Sequence, residues 1–132
     1  MRMRCVIAAV LFAALLAACA SGPAEIPDDI GPAELIQRAQ EASDRNRFAL
    51  ALGYYVLIPE RFPSNIDMIC AAEYEIAFIH YKQKKYVQAR EELEALLSRY
   101  AGPDAELLPP QFKRLADIVL ERITEKQQRR NR

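Results

Sequence analysis

One histidine, four glycines and three cysteines in 132 residues leave little room for several kinds of chemistry. The lone His80 excludes a multi-histidine metal site. With Cys70 ten residues earlier and no carboxylate cluster in the surrounding sequence, it also makes a poor nucleophile pair. The glycines, at positions 22, 31, 53 and 102, form no phosphate-cradling loop. No stretch alternates apolar and polar residues over the length of a strand, and no hairpin dipeptide occurs, so β structure is not expected. An excess of one charge is missing as well, since 18 basic residues balance 18 acidic ones. The uniform basic field of a nucleic-acid binder is therefore absent. Only the tail is basic, with seven basic residues against three acidic ones from Lys113 onward. Glu91, Glu92 and Glu94 fall on a solvated helix face, where nothing separates their pKa values for acid–base work. Neither catalysis nor a metal, a cofactor or a nucleic-acid partner is expected.

What the chain does have begins at its N-terminus. Arg2 and Arg4 precede an uninterrupted apolar run, Cys5 to Ala18, which has the length of a secretory h-region and is too short for a stable membrane span. It closes on Leu16-Ala17-Ala18-Cys19, which resembles the bacterial lipobox. That resemblance implies that residues 1–18 are a cleaved lipoprotein signal peptide and that Cys19 is acylated, anchoring the chain to a membrane without spanning it. Ala20 and Ser21 follow, with no aspartate at the second position. This is similar to the lipoproteins that gram-negative bacteria send to the periplasmic face of the outer membrane. Cys5 leaves with the signal and Cys19 is lipidated, so Cys70 has no disulfide partner and is expected to be buried as a small hydrophobe. Gly22, Pro23, Pro27 and Gly31 interrupt any periodicity up to Gly31, so residues 19–31 are expected to form a flexible tether.

From Pro32 onward apolar residues recur at helical spacing. The clearest case is Tyr86 to Tyr100, where Tyr86, Ala89, Leu93, Leu96, Leu97 and Tyr100 make one stripe. Thirty-eight residues earlier Phe48, Ala51, Tyr55 and Ile58 repeat it. An aromatic at Phe48 and Tyr86, followed by alanine and then by Tyr55 or Leu93, resembles the tetratricopeptide repeat. The resemblance implies an all-α fold over residues 32–127, a short solenoid of two helix-turn-helix repeats and a C-terminal capping helix. Pro32 starts the first helix, which runs to about Asp44, and the second begins at Phe48. Pro59 is expected to kink or end that second helix. Ser64-Asn65 can cap a third, Ile66 to Lys84, apolar nearly all round: Ile69, Ala72, Ile76 and Ile79 on one side, Cys70, Tyr74, Ala77, Phe78 and Tyr81 on the other. Such a helix is sandwiched between neighbours. Gly102-Pro103 ends the fourth helix, an extended Leu107-Leu108-Pro109-Pro110 connector follows, and Phe112 to Ile123 marks the fifth. Residues 128–132 are read as a basic disordered tail.

Tyr74, Phe78 and Tyr81 lie at i, i+4 and i+7 and share one face of the third helix. Aligning Tyr86 and Ala89 to the repeat places Tyr74, Phe78, Tyr81 and Lys82 on the concave, partner-binding surface of the family. A competing register makes Tyr74 and Tyr81 packing aromatics. The expectation carried forward is that at least one of the three faces the groove and anchors a partner. The phrase Tyr74, Ile76, Ala77, Tyr86, Ala89 is similar to that of BamD-like lipoproteins of the β-barrel assembly machinery. It implies a lipid-anchored periplasmic scaffold that binds another envelope protein. Two other readings stay open: an accessory lipoprotein of a periplasmic transporter, as among spirochaetal tetratricopeptide lipoproteins, or an adaptor for cell-wall enzymes.

Overall fold

Two prolines open helices where their missing N–H costs nothing. Pro32 is the first residue of α1 (Pro32–Asp44) and Pro110 the first of α5 (Pro110–Arg130). Between them lie α2 (Phe48–Arg61), α3 (Ile66–Lys82) and α4 (Tyr86–Arg99), with a short 3-10 turn at Ala105–Leu107. The computed structural model describes residues 26–132. The signal-peptide and lipidation expectations, on Leu16, Ala17, Ala18 and Cys19, fall outside them. The described residues are helical and contain no strand.

The α1–α2 and α3–α4 connections are three residues long, which makes each pair antiparallel. They also end the same way. Asn46 N–H donates to the Ser43 carbonyl and Arg47 N–H to the Ala42 carbonyl; thirty-eight residues on, Lys84 donates to Tyr81 and Lys85 to His80. This is the Schellman arrangement, with Asn46 and Lys84 supplying the positive φ, 57° and 62°. The helical repeat read from side chains is thus present in the backbone as well.

Packing follows the pattern of α3. Leu35, Ala39 and Ala42 of α1 and Ala51, Tyr55 and Ile58 of α2 build one core, into which α3 inserts Ile69, Ala72 and Ile79. On its other side α3 gives Cys70, Tyr74 and Ala77 to a second core with Ala89, Leu93 and Leu96 of α4 and Ala116, Val119 and Ile123 of α5. The two-sided division of α3 is the one its sequence predicts, and Cys70 is buried and free. Asn65 caps α3, its side-chain oxygen accepting from Met68 N–H at 3.3 Å.

Three expectations are corrected, and of the two offered for Pro59 one is ruled out. Pro59 does not end α2: the helix continues to Arg61, and Phe62 N–H still reaches the Ile58 carbonyl at 2.9 Å, so the proline removes one bond without stopping the last turn. The tether is docked from Ile26 on, because Ile26 and Ile30 pack on the first core while Arg61 donates to the Pro27 carbonyl at 2.8 Å and pairs with Asp28 at 2.9 Å. At the other end α5 carries its helix through Arg130, where a disordered tail was expected from residue 128. The connector before α5 is extended only at Leu108 and Pro109; Ala105–Leu107 coil into the 3-10 turn, and Leu108 is buried.

Candidate functional site

The four residues expected on a binding surface do not share one fate. Tyr74 is buried, with its ring centroid 6.0 Å from Phe112 of α5 and 5.8 Å from Phe78, onto which it stacks at an interplanar angle of 11°. Burial is also what chiefly pushes its hydroxyl pKa up. Tyr74 therefore belongs to the second core, and its assignment to the binding surface is corrected. Phe78 and Tyr81 are half-buried and stack on each other at 5.9 Å, and Tyr81 meets Tyr86 of α4 at 5.8 Å. The result is a row of five rings crossing from α5 over α3 to α4.

Lys82 closes the row on the α1 side. Its Nζ lies 5.2 Å from the centroid of the Phe48 ring and 5.3 Å from that of Phe78, and it donates to Ser43 Oγ at 2.7 Å. The ammonium is held by two π faces and a hydroxyl. Below it opens a cavity of about 310 Å³, lined by Gln40, Ser43 and Asp44 of α1, Tyr55 of α2, and Glu75, Phe78 and Lys82 of α3.

The electrostatics of this cavity are unbalanced. Tyr55 is fully buried and its hydroxyl has no hydrogen-bond partner. Burial, and then the nearby Glu75 and Asp44 carboxylates, raise its pKa well above the usual tyrosine value. Glu75 is raised above the usual 4.5, first by burial and then by Asp44, with the Lys82 ammonium opposing. Neither Asp44 nor Glu75 has a cation within ion-pair distance among the described residues. By contrast, a larger cleft of about 480 Å³ between α3 and α4 is satisfied. There Arg99 grips Glu73 through two bonds, 2.8 and 2.6 Å.

Sequence reasoning missed two arrangements. Glu92 does not stay on a solvated face; its carboxylate reaches His80 Nδ1 at 2.7 Å, with Gln88 beside the ring, and the three clasp α3 to α4. His80 is a buried helix residue, as expected of it. The cavity around Tyr55 was missed too. A signal existed: Glu75 interrupts the apolar circumference of α3, and Tyr55 places a hydroxyl where the second repeat has Leu93. No group of three metal-ligating side chains occurs among the described residues, and no described helix is long and apolar enough to cross a membrane.

No family model matches the chain, and no solved structure matches it. It is similar to an uncharacterized protein of Treponema pallidum (strain Nichols), with 38% identity over 117 residues, 87% of this chain and 47% of that protein. The chain thus spans about half the length of that relative.

Proposed function

We propose that this chain is a small tetratricopeptide-type lipoprotein, anchored through Cys19 to the periplasmic face of the outer membrane. In this reading it holds another envelope protein on the face of α3 that carries Phe78, Tyr81 and Lys82, and it serves outer-membrane protein assembly. The observation that carries the reading is the half-buried ring row beside an open α1–α3 cavity. Phe78 and Tyr81 are packed well enough to be rigid, yet not enclosed, which is the state of an aromatic anchor at an interface. The shared 38-residue spacing and paired Schellman turns support a repeat scaffold, and Leu16-Ala17-Ala18-Cys19 supports the anchor.

The test is a photo-crosslinking amino acid placed at Tyr81 and, for comparison, at the 67% exposed Val87, in cells that make the full chain. One dominant adduct from position 81 and none from position 87 is expected. Its identity separates a barrel-assembly component from a transporter subunit or a cell-wall enzyme. Equal labelling from both positions would count against a specific face. Intact mass of the membrane-extracted protein checks the anchor, with a lipid adduct expected that Cys19→Ser abolishes.

A further inference from the structure

We propose that the cavity beneath Lys82 receives one organic cation, the guanidinium or ammonium head of an arginine or lysine side chain from the bound protein. The inference rests on the reading of this face as the partner-binding face, and its chemistry can be tested without the partner.

Charge is the first argument. Asp44 and Glu75 bring two carboxylates to a cavity whose own cation, Lys82, is committed to Ser43 Oγ and to the Phe48 and Phe78 rings. One monovalent cation neutralises the remainder. An anion would face both carboxylates in a half-enclosed space, where repulsion is poorly screened. A neutral amide would leave the imbalance in place. A hard divalent metal is disfavoured by the resident ammonium, and no group of three metal-ligating side chains gathers among the described residues.

Tyr55 is the second and independent argument. Buried polar groups in folded proteins are almost always hydrogen-bonded, yet Tyr55, which lines the cavity, keeps a fully buried hydroxyl with no partner. Its oxygen can accept an N–H from the incoming cation once a small shift of the lining side chains uncovers it. Glu75 can accept a second, and a planar guanidinium has donors to spare. Size is the third. About 310 Å³ stands at the small end of ligand pockets, enough for a side-chain head and part of its stem, for which Phe78 supplies an apolar wall. The raised Glu75 pKa agrees: burial outweighs the Lys82 ammonium there, so the carboxylate gains from a further cation that arrives.

The experiment is a titration of the full chain, purified in detergent, followed by amide and tyrosine-ring chemical shifts. The probes are N-acetyl-arginine amide, N-acetyl-glutamine amide and methylguanidinium. The arginine amide is expected to bind in the millimolar range, with shifts concentrated at Tyr55, Glu75 and their neighbours, and the glutamine amide at least about tenfold more weakly. Glu75→Gln should weaken the arginine probe about tenfold, and Tyr55→Phe should weaken it while leaving the helical melt intact. Lys82→Gln should tighten it, because a competing positive charge is gone. A glutamine probe that binds as well as the arginine probe, or a Lys82→Gln variant that binds it more weakly, would overturn the proposal. Methylguanidinium binding more tightly than the arginine amide would overturn the side-chain source. A bound arginine probe without any crosslinked partner would sink the scaffold reading and leave the site standing.

Discussion

In the α1–α2 turn Asn46 takes the positive φ, and in the α3–α4 turn Lys84 takes it, within a few degrees of the same value. Both turns close with the same two hydrogen bonds. Asparagine tolerates this left-handed conformation because its short polar side chain can bond locally; lysine has no such relief. The same contrast runs through the helices. Position 55 of the first pair is a tyrosine with an orphaned hydroxyl, and its counterpart in the second pair is Leu93, equally buried and wholly apolar. Ala42 in the first becomes His80 in the second, where Glu92 and Gln88 satisfy its ring. A shared backbone therefore carries two different duties. The core shared by α3, α4 and α5 is apolar where the first core has Tyr55, and it supplies stability, whereas the side of α3 that meets α1 and α2 leaves the Tyr55 hydroxyl and the Asp44 and Glu75 carboxylates around a cavity.

The largest break in this comparison should come from Leu93→Ala, which empties the second core and should cost about 2–5 kcal/mol in chemical denaturation. Tyr55→Phe, at the matching position, should do the opposite. Removing a buried hydroxyl without a partner returns part of its desolvation cost, a gain of about 1 kcal/mol on the same measurement. A loss of stability in Tyr55→Phe would mean that the hydroxyl is satisfied in solution and that the contrast between the pairs is false.

Exchanging the turn residues sharpens the backbone side of the argument. Lys84→Asn should stabilise by about 0.5–1 kcal/mol and Asn46→Lys should destabilise by a similar amount, since each moves the left-handed residue toward or away from one that tolerates it. The gentlest effect concerns Glu75. Its folded pKa lies above the ordinary 4.5, chiefly through burial, so its ionised form is disfavoured in the fold. That penalty is complete above the folded pKa and vanishes as pH falls through it to below 4.5. Glu75→Gln should therefore be more stable than the parent at neutral pH, with the two denaturation curves converging below the ordinary carboxylate range.

Much of the fold was legible because helical periodicity reports burial directly. The two-sided stripe of α3, the proline at the start of α1 and the Asn65 cap all have local causes, and the structure keeps them. What escaped depends on partners distant in sequence. Ile26 and Ile30 lie among turn-forming residues and look like tether until the α1–α2 core offers them a surface. Pro59 reads as a breaker because its local cost is visible and the packing of Ile58 beneath it is not. Glu92 and His80 are twelve residues apart on different helices, and the periodicity of neither predicts their bond. For the site, spacing grouped Tyr74, Phe78 and Tyr81 correctly on one face but could not say that α5 brings Phe112 onto Tyr74. Nor does a repeat pattern distinguish a tyrosine whose hydroxyl is satisfied from one whose hydroxyl is not.

The division of duties is tested most directly at Phe78, the one ring that belongs both to the aromatic row and to the cavity wall. Phe78→Leu keeps an apolar side chain of similar bulk and removes the ring. Helical melting and crosslink yield from a photo-reactive residue at position 81 should be measured on the same variant. The account predicts a melt within about 1.5 kcal/mol of the parent together with the loss of an interfacial anchor of about 2 kcal/mol or more, seen as a collapse of the crosslink. An unchanged crosslink, or one that falls only in step with the folded fraction, would contradict it.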